Sequence, residues 1–185
     1  MLIGWVLLAC VLLLVLWCIA AYNRLVRMQQ EIKGAWSQID VQLKRRHDLI
    51  PNLVEAVRGY LSHERQTLEN VAKARAQAAG ASGVAERAAA ENALTQTLVA
   101  LFAVVERYPD LKASQNMLAL QEELTSTENR IAFARQFYND QAVRLNAAIG
   151  SLPTNLVAAG AGFRPAEFFQ LEDPAHREAP KVSLL

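Results

Sequence analysis

Two patterns of apolar residues divide the sequence. Residues 1–21 are almost all apolar and carry no charged side chain. After them, apolar residues recur every three or four positions, the spacing that places one apolar stripe along one face of an α-helix. No segment alternates between apolar and polar residues with a period of two, so the pattern predicts an all-α protein without a sheet.

Breaks in the stripes predict the helix boundaries. Pro51 does not fit a helix interior without strain, and Asp48 can cap a new helix, so we expect a hairpin at Pro51. A kink in one long helix is the alternative. Short links at residues 80–83 and at Pro109 follow, and short links make neighbouring helices antiparallel. The result is an antiparallel up-down four-helix bundle with coiled-coil-like packing, its helices at about 23–47, 51–79, 84–108 and 112–149.

The first apolar run predicts a transmembrane helix. It is long enough to cross the roughly 30 Å of a bilayer's hydrocarbon. Trp5 and Trp17 lie near its two ends, where indole rings prefer the lipid–water boundary. A cleaved signal peptide is the rival interpretation, but no basic residue precedes this run, and it exceeds the roughly 7–15 apolar residues of such peptides.

Charges beside the run predict its orientation. Arg24, Arg27 and Lys33 follow it, and only the amino terminus precedes it, so the bias of basic residues toward the inside places the carboxyl side in the cytoplasm.

We expect an anchor at 1–21, a bundle at 22–150 and an apolar segment with an extended tail at 151–185. In an up-down bundle the last helix returns to the membrane, so the third segment either lies on the lipid surface or covers the end of the bundle. Four of its apolar side chains are expected near the membrane: Leu156, Phe163, Phe168 and Phe169.

Composition argues against several functions. The net charge of +1 gives no strong field for nucleic acid, so we expect no such partner. Cys10 and Cys18 both lie in the apolar run. A di-metal site in a helical bundle needs Glu-x-x-His pairs, and neither His47, His63 nor His176 has a glutamate three residues before it. No phosphate-binding glycine loop or paired catalytic serine occurs. We therefore expect no metal, no cofactor and no enzymatic activity.

Two groups of polar residues are candidates for binding. Glu64 falls on an apolar stripe, and a buried carboxylate needs a partner, for which Arg135, Arg130 or the Tyr60 hydroxyl is available. Such a buried pair either fixes the helix register or lines a ligand site. The second group is a candidate surface for a partner or a second copy of the chain, unless its cations only neutralise a helix dipole: Trp36, Asp40, Lys44, Arg45 and Arg46.

Several stretches resemble the LemA family of bacterial membrane proteins. They cover the chain from the anchor to about Phe169: YNRLV at 22–26, AWSQIDVQLKRR at 35–46, DLIPNLV at 48–54, ERYPDLK at 106–112, TENRIA at 127–132 and ARQFYN at 134–139. The resemblance implies one membrane helix followed by an antiparallel four-helix bundle at a bacterial inner membrane, and it supplies no catalytic residues.

The function expected from the sequence is that of a non-enzymatic, membrane-anchored scaffold or interaction protein. Its expected partners are membrane lipid, further copies of the same chain and another membrane protein. Two alternatives remain open at this point. One is a bundle that binds a ligand or metal around Glu64, and the other is a protein that remodels membranes through residues 151–169.

Overall fold

A computed structural model describes residues 1–60 and 64–170 of the chain. The expected helix class is confirmed, because these ranges contain six α-helices and no strand. Three expectations lie outside the described residues, namely His63, His176 and the extended tail. The helices are α1 (Leu2–Arg58), α2 (Arg65–Gly80), α3 (Val84–Val105), α4 (Pro109–Lys112), α5 (Gln115–Gly150) and α6 (Thr154–Gly160).

The expected hairpin at Pro51 is wrong. Helix α1 continues through Pro51 without interruption and ends at Arg58. Pro51 lies on the exposed side of the helix, while Ile50 and Leu53 beside it are buried. The apolar stripe of α1 therefore continues past the proline, and the burial it provides favours a continuous helix over a turn at this point.

The chain forms two compact units. Unit 1 contains Met1–Leu43 and Asn129–Phe168, and unit 2 contains Lys44–Glu128 with the described residues from Phe169 onward. Helices α1 and α5 therefore each contribute to both units.

Unit 2 has a continuous apolar core. In α2, Val71, Ala74 and Ala78 are buried, and this helix contacts α3. Full burial of a side chain such as leucine contributes about 1.5–3 kcal/mol. The largest buried side chains of this core come from α1, α3, α4 and α5: Ile50, Leu53, Val57, Leu94, Leu101, Leu111 and Met117.

Unit 1 combines a buried helix face with an exposed apolar one. Leu25, Ile39 and Leu43 of α1 are fully buried. In contrast, the most apolar 18-residue window of α1 has a mean hydropathy of 2.9, and none of it is buried. By length and composition this part of α1 is able to cross a membrane.

Helix α3 passes the same test of length and composition. Its most apolar window has a lower mean hydropathy of 1.4, and 39% of that window is buried. Leu94, Leu98 and Leu101 belong to the core of unit 2. The apolar character of α3 is thus used to form this core.

Candidate functional site

A cluster of charged side chains is buried inside unit 2. Arg46 of α1 is 1% exposed, and Glu91 of α3 is 3% exposed. Arg46 Nη2 donates to Glu91 Oε2 and, at 3.3 Å, to the Glu91 carbonyl. Arg46 Nη1 donates to Glu128 Oε1 at 2.5 Å and to Thr95 Oγ1 at 3.0 Å. One guanidinium therefore joins three helices, α1, α3 and α5.

His47 completes this cluster. Its Nε2 lies 2.8 Å from Glu91 Oε1, and its side chain is buried. Burial by itself raises the pKa of the Glu91 carboxyl, but its close contacts with the His47 ring and the Arg46 guanidinium outweigh burial and hold this pKa below its usual value. Glu91 is therefore ionised at neutral pH, and its charge is compensated inside the protein.

The polar side chains of this cluster contact one another. It contains no thiol, and its hydroxyl, on Thr95, is occupied between the Arg46 guanidinium and the Glu91 carbonyl. Across residues 1–60 and 64–170, no group of three His, Cys, Asp or Glu side chains is arranged to hold a metal ion. The contacts of Arg46 thus link α1, α3 and α5 within unit 2.

The structure places the buried carboxylate at Glu91 and not at Glu64. Glu64 precedes α2, its side chain is 28% exposed, and its Oε1 accepts a hydrogen bond from Arg107 Nη2 at 3.0 Å. Arg135 lies half-buried on α5 in unit 1. A signal for Glu91 was present, because it lies three residues before Leu94 on the buried stripe of α3.

The basic run at residues 44–46 does not form one exposed patch. Lys44 is exposed and pairs with Asp48 at 3.1 Å. Arg45 pairs with Glu123 of α5 at 2.8 Å. Arg46 belongs to the buried cluster, so its expected place on an interaction surface is wrong. Its guanidinium is buried and makes its hydrogen bonds inside unit 2.

The other two residues of the expected surface lie in unit 1 and are half-buried. The Trp36 ring meets the Tyr138 ring edge-on, with a centroid distance of 5.6 Å. Asp40 lies one turn further along α1. Burial and the nearby Glu167 carboxylate raise the pKa of Tyr138. Trp36 thus fills space between α1 and α5, and its ring is not a free anchor.

The exposed apolar surface of unit 1 lies beside these residues. Val41, Phe133 and Phe137 are 61%, 73% and 44% exposed. They line a groove between α1 and α5 with a volume of about 490 Å³, which we name the aromatic groove. Its other lining residues are mostly polar: Ser37, Gln38, Gln42, Arg130 and Ala134. Phe133 falls off the buried stripe of α5, and helical periodicity gives no signal for an exposed apolar residue at such a position.

The segment after α5 lies beside the apolar run of α1. The Phe163 ring contacts the Tyr22 ring edge-on at a centroid distance of 5.8 Å. Leu156 of α6 faces the same groove as Leu14 and Trp17 of α1. Leu156 and Phe163 therefore lie next to the apolar run of α1.

Phe168 is not next to that run. Ala166 exchanges two hydrogen bonds with Asn146 of α5, and the Glu167 carbonyl accepts one from the Tyr138 hydroxyl at 2.9 Å. Tyr138 contacts Trp36, which lies about 21 Å beyond Tyr22 along α1 at 1.5 Å per residue. The chain thus turns back along α5 before it reaches Phe168.

Phe169 departs from the expectation too. It is 2% exposed and belongs to unit 2, so it is a core residue and does not meet lipid. The sequence alone does not show where the chain after α6 reverses its direction. It therefore predicts a membrane position for Phe168 and Phe169 that the structure does not support.

Comparison with known proteins agrees with the sequence motifs at 35–46 and 127–139. The sequence model of the LemA family matches residues 35–184. The chain belongs to the LemA family. Among its relatives is Protein LemA of Metamycoplasma hominis, 29% identical over 153 residues that cover 82% of this chain and 69% of that protein.

Two further relatives are named as magnetosome proteins. Magnetosome protein MamQ 2 of Paramagnetospirillum magneticum is 28% identical over 180 residues, and Magnetosome protein MamQ of Magnetospirillum gryphiswaldense is 26% identical over 180 residues. Each alignment covers 83% of this chain but only 66% of the relative. This LemA-family chain therefore spans just under two thirds of the length of these two proteins.

Proposed function

We propose that this chain is a non-enzymatic, membrane-anchored helical scaffold that self-associates at a bacterial inner membrane. The observation that carries the proposal is the exposure of Phe133 beside the aromatic groove. A phenylalanine that is 73% exposed next to exposed Val41 and Phe137 leaves a contiguous apolar surface in water. Association that covers this surface recovers the free energy of apolar burial, about 25 cal/mol per Å².

A second copy of the chain is the occupant that fits the aromatic groove. The groove presents both a protruding side chain, Phe133, and a concave site, so two copies related by a two-fold axis insert their phenylalanines into each other's grooves. Anchoring by α1 supports this arrangement because all copies in one membrane then share one orientation. The polar residues Gln38 and Arg130 supply a rim for hydrogen bonds.

Two finer features belong to the same proposal. We place the helical part in the cytoplasm because Arg24, Arg27 and Lys33 follow the apolar run. We further propose that α1, α2, α3 and α5 form an antiparallel up-down four-helix bundle, supported by the short links between α2 and α3 and around α4.

The test is the oligomeric state of the full-length protein. The protein is reconstituted in nanodiscs large enough for several copies, and its mass is measured by mass photometry. We expect an oligomer for the natural sequence and a shift to monomer for Phe133→Ser. Val99→Ser is the matched control, since Val99 is 64% exposed on α3 outside the aromatic groove. A monomer for the natural sequence, or equal effects of both variants, overturns the proposal.

A further inference from the structure

A second groove lies between α1 and α6 within unit 1. Its volume is about 920 Å³, and almost all of its lining is apolar. One wall is formed by Leu14, Trp17 and Tyr22 of α1, and the other by Leu156, Val157 and Gly160 of α6. We name it the α1–α6 groove.

The depth of this groove follows from its α1 wall. Residues 14–22 lie in the carboxyl half of the apolar run, and they extend over about 12 Å at 1.5 Å per residue. If α1 crosses the bilayer, this half lies in the hydrocarbon of one leaflet. Helix α6 therefore lies in that leaflet as well. Its sequence agrees, because no charged residue occurs between Arg144 and Arg164.

The outer face of α6 has the same character. Leu152 and Leu156 are 79% and 69% exposed. In water these side chains expose apolar surface, which is unfavourable. In the hydrocarbon of a membrane the same surface is in a favourable environment. The backbone at both ends of the short α6 is paired with flanking residues, as a lipid-facing segment requires. Asn155 N–H donates to the Ser151 carbonyl, and the N–H groups of Ala161 and Phe163 donate to the Val157 and Ala158 carbonyls.

Positive charge surrounds the outer end of the groove. Arg24 and Arg27 follow Tyr22 on α1 within two helical turns, and Arg164 directly follows Phe163, whose ring contacts Tyr22. All three arginines are exposed. A guanidinium group forms paired hydrogen bonds with phosphate oxygens. An apolar groove with arginines at its outer end is complementary to a phospholipid, which carries an acyl chain below a phosphate.

We propose that α6 inserts into one leaflet of the membrane and that the α1–α6 groove binds one phospholipid acyl chain. Arg164, which follows the Phe163 ring that contacts Tyr22, binds the phosphate of the same lipid. The site rests on the membrane anchoring of the proposed function and is independent of self-association through the aromatic groove. Residues 150–163 then form a re-entrant element beside a spanning helix.

The first test fills the groove. A side chain at Gly160 meets no atom within 4 Å at its Cβ position, so Gly160→Leu adds bulk to the groove without a clash. Ala159→Leu is the matched control, because Ala159 is exposed on the same helix and does not line the groove. The full-length protein is reconstituted with phosphatidylglycerol and phosphatidylethanolamine, extracted in mild detergent and examined by native mass spectrometry.

We expect one retained phospholipid per chain for the natural sequence and for Ala159→Leu, and at least a tenfold loss for Gly160→Leu. Arg164→Gln should lower the retained fraction severalfold. Retention that is equal in Gly160→Leu and Ala159→Leu overturns the site. A lipid-free dimer that Gly160→Leu dissociates and Phe133→Ser leaves intact overturns it too, because the groove then receives a helix of a second copy.

The second test measures depth directly. Spin labels are attached to single cysteines introduced by Leu156→Cys, Val11→Cys or Val99→Cys. Each variant also carries Cys10→Ala and Cys18→Ala. The accessibility of each label to oxygen is compared with its accessibility to a water-soluble nickel chelate. We expect labels at positions 156 and 11 in lipid and the label at 99 in water. A label in lipid at position 11 and in water at position 156 overturns only the insertion of α6. Labels in water at both positions refute the membrane anchor itself.

Discussion

The guanidinium Nε of Arg75 donates a hydrogen bond of 2.7 Å to the backbone carbonyl of His47. In a regular α-helix this carbonyl accepts the N–H of the residue four positions later. That residue is Pro51, which has no N–H to donate. A side chain from α2 thus satisfies the carbonyl that the proline leaves without its helical partner, and α1 continues through a residue that normally ends a helix.

This relationship predicts coupling between Arg75 and Pro51. Arg75→Met keeps the aliphatic stem and removes the donor, and we expect it to lower the free energy of unfolding by about 1.5–3 kcal/mol. In a Pro51→Ala background the restored N–H bonds to His47, so the same change should cost at least about 0.5 kcal/mol less. Urea unfolding of the four proteins of this double-mutant cycle, followed by circular dichroism, gives both values.

Arg58→Met is the control for the loss of a guanidinium. Arg58 is exposed and pairs with Glu55 at 3.5 Å, so the loss of its guanidinium should cost less than about 1 kcal/mol. Additive effects of Arg75→Met and Pro51→Ala would show that the hydrogen bond to His47 does not support the helix at the proline.

The buried cluster predicts a large effect from one isosteric change. Glu91→Gln removes the charge that compensates Arg46 inside unit 2. Breaking a buried ion pair on one side costs about 3–5 kcal/mol. Arg46 keeps its ion pair with Glu128, so we expect a loss toward the lower end of this range. Thermal and urea unfolding of the full-length protein in detergent measure this loss.

Glu123→Gln is the matched control for Glu91→Gln. Glu123 pairs with Arg45 at the surface, with both side chains more than two fifths exposed, so its neutralisation should cost less than about 1 kcal/mol. If the two substitutions destabilise the protein equally, the cluster around Arg46 does not hold unit 2 together.

The lowered pKa of Glu91 predicts sensitivity to acid. A carboxyl with a lower pKa in the folded state than in the unfolded state stabilises the fold above its unfolded value, near 4.5, and loses that contribution as the pH falls through the folded pKa. We expect the difference in unfolding free energy between the natural sequence and Glu91→Gln to shrink below this pH. Urea titrations from neutral pH down to the acid range measure it, and a difference that stays constant contradicts the prediction.

The sequence predicted much of the helical pattern but not the tertiary contacts that modify it. The start of α3 and the end of α5 agree with the predicted residues 84 and 149 to within one residue. The prediction failed at Pro51 because local rules place a helix end there, and the donor that removes the penalty comes from Arg75, which is distant in the sequence. The stripe through Arg46, Ile50, Leu53 and Val57 was the signal in favour of continuity.

The buried charges were missed for a related reason. Burial of a lone carboxylate is unfavourable, so a glutamate such as Glu91 is assigned to the surface unless its partners are known. Arg46, His47 and Glu128 lie far from it in the sequence, and only folding brings them together. The exposed Phe133 was missed because periodicity identifies buried faces and does not reveal an apolar residue outside them.

The orientation of the chain gives the last prediction. If the basic residues after the apolar run keep the carboxyl side in the cytoplasm, a cysteine at Val99 should react with a membrane-impermeant maleimide only after the inner membrane is permeabilised. A cysteine at Leu2, on the other side of the run, should react in cells whose outer barrier alone is opened. Both variants carry Cys10→Ala and Cys18→Ala, so the reaction reports one position. Labelling of Val99→Cys before permeabilisation would reverse the orientation and place the aromatic groove outside the cytoplasm.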